Sequence, residues 1–183
     1  GRLVGRLDVR LLILSGLLVT AGSEWMMTGF SLQMDNHLVI WSGFLQGVGT
    51  GFAYVPLAAI SFATLGAQFR DEGTSIFNLL RNVGSSIGIS ITQALQVRNT
   101  QIAHADLASH IVPYRELLHS LPSVDLSTTH GLAALNALIN RQAAMISYID
   151  DFKFLFVLTL IMIPLVVILR SGRTGAGAPI VAE

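Results

Sequence analysis

The run "FKFLFVLTLIMIPLVVIL", Phe152 to Leu169, carries one charged residue in eighteen. A bilayer's hydrocarbon core is about 30 Å thick and takes about 20 mostly apolar helical residues to cross. Three other stretches meet the same demand: about Leu11 to Phe30, about Leu38 to Leu65, and about Ser75 to Leu95. Lipid cannot satisfy backbone amides, so such segments cross as helices. The fold class that follows is all-α integral membrane, with four transmembrane helices at 11–30, 38–65, 75–95 and 152–170. Composition agrees. Only 12% of residues are charged and 52% are hydrophobic, against about 25% charged in a soluble domain.

Residues 1–10 then form a cytoplasmic loop, 96–151 a long extracytoplasmic loop, and 171–183 a tail. Within the long loop, Leu132, Leu135, Leu138, Ile139, Ile146 and Ile149 approximate helical spacing. They predict an amphipathic helix at about 130–149, either lying on the interface or continuous with the last span. Arg2, Arg6 and Arg10, then Arg70, then Arg170 and Arg173 alternate with the spans, which places both ends in the cytoplasm. Pro56 and Pro164 are expected to kink their helices. Gly1 is not a methionine and the text begins in mid-motif, so the chain reads as a piece of a longer protein.

Several function classes fall away. A net charge of zero argues against nucleic acid as a partner. The chain has no cysteine, and His104, His110, His119 and His130 lack ligand spacing, so neither metal nor cofactor is expected. "GVGTGF" follows no strand and lacks the lysine of a phosphate loop. No nucleophile–base arrangement can be assembled, which points away from an enzyme.

The chemistry sits in "FNLLRNVGSSIGIS", Phe77 to Ser90. On a helical wheel Asn78, Arg81, Asn82, Ser85, Thr92, Gln93 and Gln96 share one side. Beside membrane spans that side must meet protein or a watery cavity. An arginine at a span's centre costs about 2.5–3.5 kcal/mol on insertion scales, and Arg81 lies roughly 13 Å from Glu72 along the axis. It either lines a cavity or pairs within the bundle to hold it together; Asn78, Asn82 and Ser85 would hydrogen-bond its guanidinium. Gly84 and Gly88, and Gly43, Gly47 and Gly51, form G-x-x-x-G steps expected to let helix backbones touch. Gln46, Thr50 and Tyr54 run along the same side as the second set, so helix two borders the cavity. Glu24, in the outer part of the first span, either binds protons or a cationic substrate, or snorkels to the interface.

"GRLVGRLDVR" resembles the cytoplasmic loop signature of the major facilitator superfamily, G-x-x-x-D-R-x-G-x-R, in its second-half copy. Gly1, Arg6 and Arg10 match; Gly5 replaces the acid, and Asp8 stands where glycine is usual. With "FLQGVGTGFAYVPLAAIS", "FNLLRNVGSSIGIS" and "INRQAAMISYIDDF", nearly the whole chain up to Arg170 resembles the last four helices of an EmrB/QacA-type drug:proton antiporter. The resemblance implies inner-membrane export of hydrophobic or cationic compounds by alternating access, driven by inward proton flow. It implies as partners the bilayer, upstream helices of the same transporter, small hydrophobic substrates, protons and a periplasmic adaptor protein. A metabolite or siderophore exporter of the same fold is the runner-up; an integral membrane enzyme or scaffold stands behind it.

Overall fold

The computed structural model describes residues 8–63, 65–111 and 128–168, which are helical apart from short turns, with no strand among them. Helix α1 spans Val9–Met27, α2 Asn36–Ala63, α3 Arg70–Ile111 and α4 Thr129–Ile168, with a short 3-10 turn at Ala67–Phe69. Gly1 and Arg6 of the loop signature, and the tail after 168, lie outside the described residues.

Asp8 explains its own presence at a position where glycine is usual. It caps α1: its Oδ1 accepts from the Arg10 amide at 3.3 Å, and its carbonyl accepts from the Leu11 amide at 2.9 Å. Thr128 caps α4 likewise, its hydroxyl oxygen accepting from the Gly131 amide at 3.1 Å. Asp71 and Glu72 occupy the first turn of α3, where the helix dipole favours negative charge. Helix α1 ends at Met27, short of the expected Phe30, because Thr28 and Gly29 turn back, the Thr28 hydroxyl donating to the Trp25 carbonyl at 2.7 Å.

The largest difference from the sequence reading is length. Helix α3 does not stop at 95; it runs for 42 residues, and α4 for 40. The segment from Gly88 to Ile111 contains no glycine or proline inside it, and the first breaker is Pro113. Nothing between Gly131 and Pro164 breaks α4 either, so the amphipathic segment 130–149 is continuous with the last apolar run. Pro56 and Pro164 both sit inside helices.

Helices α1, α2 and α4 are each long and apolar enough to cross a membrane. Helix α3 falls short of that hydropathy because Asn78, Arg81, Asn82 and its serines dilute the apolar residues. The exterior is hydrophobic: Ile40 is 69% exposed, Leu80 67% and Ile168 78%. The buried set includes Ser23, Ser42 and Ser147. Apolar outside and small or polar inside is the pattern of helices solvated by lipid, and the chain is a multi-pass membrane protein.

The chain divides into two compact units. The first comprises Gly1–Ser23, Gly43–Val83 and Val157–Glu183. Here α1 and α2 touch backbone to backbone. A Cβ on Gly16 would fall 2.5 Å from the Ala53 nitrogen and 2.7 Å from the Gly49 carbonyl oxygen; one on Gly49 would fall 2.7 Å from the Thr20 nitrogen. Only glycine fits at either position. Phe62 and Phe77 meet edge to face at 5.4 Å, tying the end of α2 to the start of α3.

The second unit comprises Glu24–Ser42 and Gly84–Phe156. Trp25 lies 5.3 Å from Phe156, and Phe30 lies 5.7 Å from Phe152 edge-on, so the end of α1 packs along α4. Ser147, fully buried, donates from its hydroxyl to the Gln96 carbonyl of α3 at 2.8 Å. Farther along, His104 and Asn136 share a 3.0 Å hydrogen bond beside Thr100, Gln101 and Asn140.

Candidate functional site

Helix α2 carries two adjacent rows in the first unit. Gly43, Gly47 and Gly51 recur every four residues, and Gln46, Thr50 and Tyr54 follow the same step beside them. Four residues turn a helix by 400°, so each row drifts only about 40° per step and stays on one face. From α3, Arg81 reaches across, its guanidinium carbon 5.1 Å from the centre of the Tyr54 ring. These seven residues line a groove of about 660 Å³.

A Cβ at Gly43, Gly47, Gly51, Gly84 or Gly88 would meet nothing within 4 Å, so the G-x-x-x-G steps make no backbone contact among the described residues. The reason is angular. Gly49, which does touch α1, lies 200° around the helix from Gly47. Helix α2 turns one glycine toward α1 and leaves the G-x-x-x-G rows on the reverse side, where they form a groove floor of bare backbone. The contact glycines Gly16 and Gly49 were missed; Gly49 sits in plain view inside "GVGTGF", but spacing alone does not say which face meets a neighbour.

Arg81 is also held differently from the expectation. Asn78, Asn82 and Ser85 are exposed and do not line the groove. The guanidinium extends to the Tyr54 ring instead of folding onto its own helix. A cation over an aromatic face gains about 0.5–1 kcal/mol when exposed and about 2 when desolvated. Set against about 2.5–3.5 kcal/mol for arginine within a span, the ring offsets only part of the cost. No ion pair to Arg81 occurs among the described residues, and no acid lines the groove. Thr50 donates its hydroxyl to the Gln46 carbonyl at 2.8 Å, leaving the guanidinium fork, the Gln46 amide and the Tyr54 phenol as the wall's recognition groups.

Glu24 falls in the second unit and is buried to 4% exposure, so it does not reach outward to solvent. Arg10 has a buried Nε without a hydrogen-bond partner among the described residues. No three His, Asp or Glu side chains there are grouped to hold a metal ion. One acid was passed over: Asp151, 6% exposed, which shares a buried face of α4 with Ala143 and Ser147 at four-residue steps. The small-polar spacing was the available signal.

No family model matches the chain, and no solved structure matches it. It is similar in sequence to known proteins. It is 32% identical over 171 residues, 91% of this chain and 34% of the relative, to the fatty acid resistance protein FarB of Neisseria gonorrhoeae. It is 28% identical over 151 residues, 80% of this chain and 30% of the relative, to the multidrug export protein EmrB of Haemophilus influenzae. The EmrB of Escherichia coli is 24% identical over 187 residues, 97% of this chain and 36% of the relative. The chain spans about a third of the length of the curated relatives it matches.

Proposed function

Because this chain belongs with the EmrB-type drug antiporters of the major facilitator superfamily, we propose that it is part of a proton-coupled exporter and lends the Arg81 groove to the substrate route. The observation that carries this is a permanent cation, seated on Tyr54, facing an open polar groove in a protein otherwise solvated by lipid. A purely structural arginine would be expected to end on an acid or a carbonyl; this one ends on a ring, with room beside it.

The groove's chemistry narrows the cargo. A guanidinium offers a planar fork that matches a carboxylate, and the bare glycine floor admits an apolar chain. An amphiphilic acid therefore suits it, in keeping with the fatty acids in the name of one relative and the multiple drugs in the names of others. Cationic compounds gain nothing from Arg81. The chain performs no catalytic step in this reading. It resides in the inner membrane with both ends cytoplasmic, and the helical stretches beyond 95 and before 152 face outward, where a periplasmic adaptor would meet them.

The test uses the full-length exporter containing this segment, in proteoliposomes with an imposed proton gradient and oleate as cargo. Wild type should move oleate only while the gradient lasts. Arg81→Ala should lose oleate movement while retaining that of a neutral dye, and Arg81→Lys should keep part of it. Net oleate movement without a gradient, or equal loss of both cargoes, refutes the reading. The absence of cysteine also makes orientation testable: single cysteines at Gln33 and Gln101 should react with an impermeant thiol reagent from outside, and one at Asp71 should not.

A further inference from the structure

The second unit holds two nearly sealed acids, Glu24 on α1 and Asp151 on α4, at 4% and 6% exposure. Asp151 lies one turn after Ser147, which is bonded to α3, and next to Phe152, whose ring meets Phe30 after α1. Segments from α1, α3 and α4 thus converge on this stretch. The Asp151 Oδ1 is buried with no hydrogen-bond partner among the described residues. The nearest cation on its own helix, Lys153, is engaged with Asp150 at 3.0 Å. The other titratable groups on the described elements of this unit are Glu24 on α1, the exposed Asp35 and His37 where α2 begins, Arg98, His104 and Asp106 on α3, and His130, Arg141 and Tyr148 on α4. None forms an ion pair with Asp151 among the described residues.

A carboxylate whose Oδ1 has lost water without gaining a hydrogen bond favours the neutral acid. Asp150 itself keeps a cation and faces solvent more openly. Two adjacent acids on one helix are therefore differentiated by environment, one paired and one sealed.

We propose that Asp151 is a proton-binding site of the exporter, loaded while the α1–α3–α4 seam around it is closed and emptied when that seam admits water. The inference rests on the reading of the chain as part of a proton-coupled exporter. In the loading step a proton leaves water and an O–H bond forms on the carboxylate, cancelling its charge. In the unloading step that bond breaks, the proton returns to water, and the carboxylate is stabilised by hydration. Closure and protonation are then one equilibrium: the sealed seam tolerates only the neutral acid. Weak edge contacts such as Phe30–Phe152 let the seam part without breaking an ion pair.

The test combines a spectroscopic and a transport measurement on the full-length exporter. With aspartate labelled in carbon-13, infrared difference spectra are recorded from about pH 5 to about pH 9, a window above the ordinary aspartate value. Wild type should show an aspartic acid C=O band that fades as pH rises. Asp151→Asn should remove it, and Asp151→Glu should transfer it to the glutamate-labelled spectrum. In proteoliposomes Asp151→Asn should abolish gradient-driven net oleate movement yet keep one-for-one oleate exchange, which moves no net cargo, and Asp151→Glu should restore part of the coupling. A titrating aspartyl band that survives Asp151→Asn, or the lack of any such band in wild type, overturns the proposal, and the wild-type spectrum decides even where the asparagine variant does not fold. A band that titrates at Asp151 in a protein that moves no oleate would leave the proton site standing and overturn the exporter reading instead.

Discussion

Gly16→Ala tests the α1–α2 contact at its tightest point. The added Cβ would sit 2.5 Å from the Ala53 nitrogen, 2.7 Å from the Gly49 carbonyl oxygen and 2.8 Å from the Phe52 carbonyl carbon. Ordinary contact begins at 3.4 Å, so the worst clash is about 0.9 Å too short. All three obstacles are backbone, and no rotamer change relieves them; the helices must separate. Overpacking of this kind costs about 1–3 kcal/mol, which is offset by up to about 1 kcal/mol from replacing a helical glycine with alanine. The net expectation is a loss of about 1–2 kcal/mol, a five- to thirtyfold fall in the folded ratio. The control is Gly47→Ala, whose Cβ meets open space and which should be neutral or stabilising by a few tenths to about 1 kcal/mol. Thermal unfolding of the detergent-solubilised full-length protein, read by tryptophan fluorescence, separates the two. Equal midpoints for Gly16→Ala and Gly47→Ala would refute the assignment of faces on α2.

Ser147 is wholly buried against α3, so Ser147→Ala should cost only about 0.6 kcal/mol, the average for a hydrogen bond between membrane helices, while Ser147→Leu should prevent folding; similar yields of the two variants would argue against the contact. Tyr54→Phe should leave the Arg81 contact intact, while Tyr54→Leu removes a contact of about 0.5–1 kcal/mol and should weaken oleate binding in a titration.

The apolar runs were legible because lipid demands them: Leu11 onward, Leu38 onward and Phe152 onward all lie in helices. So was the polar row of Gln46, Thr50 and Tyr54 on α2, since a four-residue step is visible in the text. Helix ends were harder. Polar residues after Leu95 suggested a loop, yet Ala, Leu, Gln and Arg are all good helix formers, and the helix continued until a proline neared. The glycines were legible as a pattern but not as a face: Gly47 and Gly49 are chemically identical in the string, and only the position of α1 distinguishes them. Asp151 stands beside Asp150 in the sequence, and nothing local distinguishes the two acids. The burial of Asp151 depends on partners more than a hundred residues earlier, such as Phe30 against Phe152, and no local pattern encodes that.

The Gln96 carbonyl receives more than its neighbours do. The Thr100 hydroxyl donates to it at 2.8 Å, and so does the Ser147 hydroxyl of α4. An oxygen with two lone pairs is thereby filled before the Thr100 amide, its regular helical donor, is counted. Hydroxyl back-bonding of this kind slackens and bends a helix. The turn at 96–100 is accordingly an articulation: α3 can flex there while remaining tethered to α4 by the same oxygen. Deuterium should enter the Thr100 amide sooner than the amides one turn to either side, and the tether should outlast the bend.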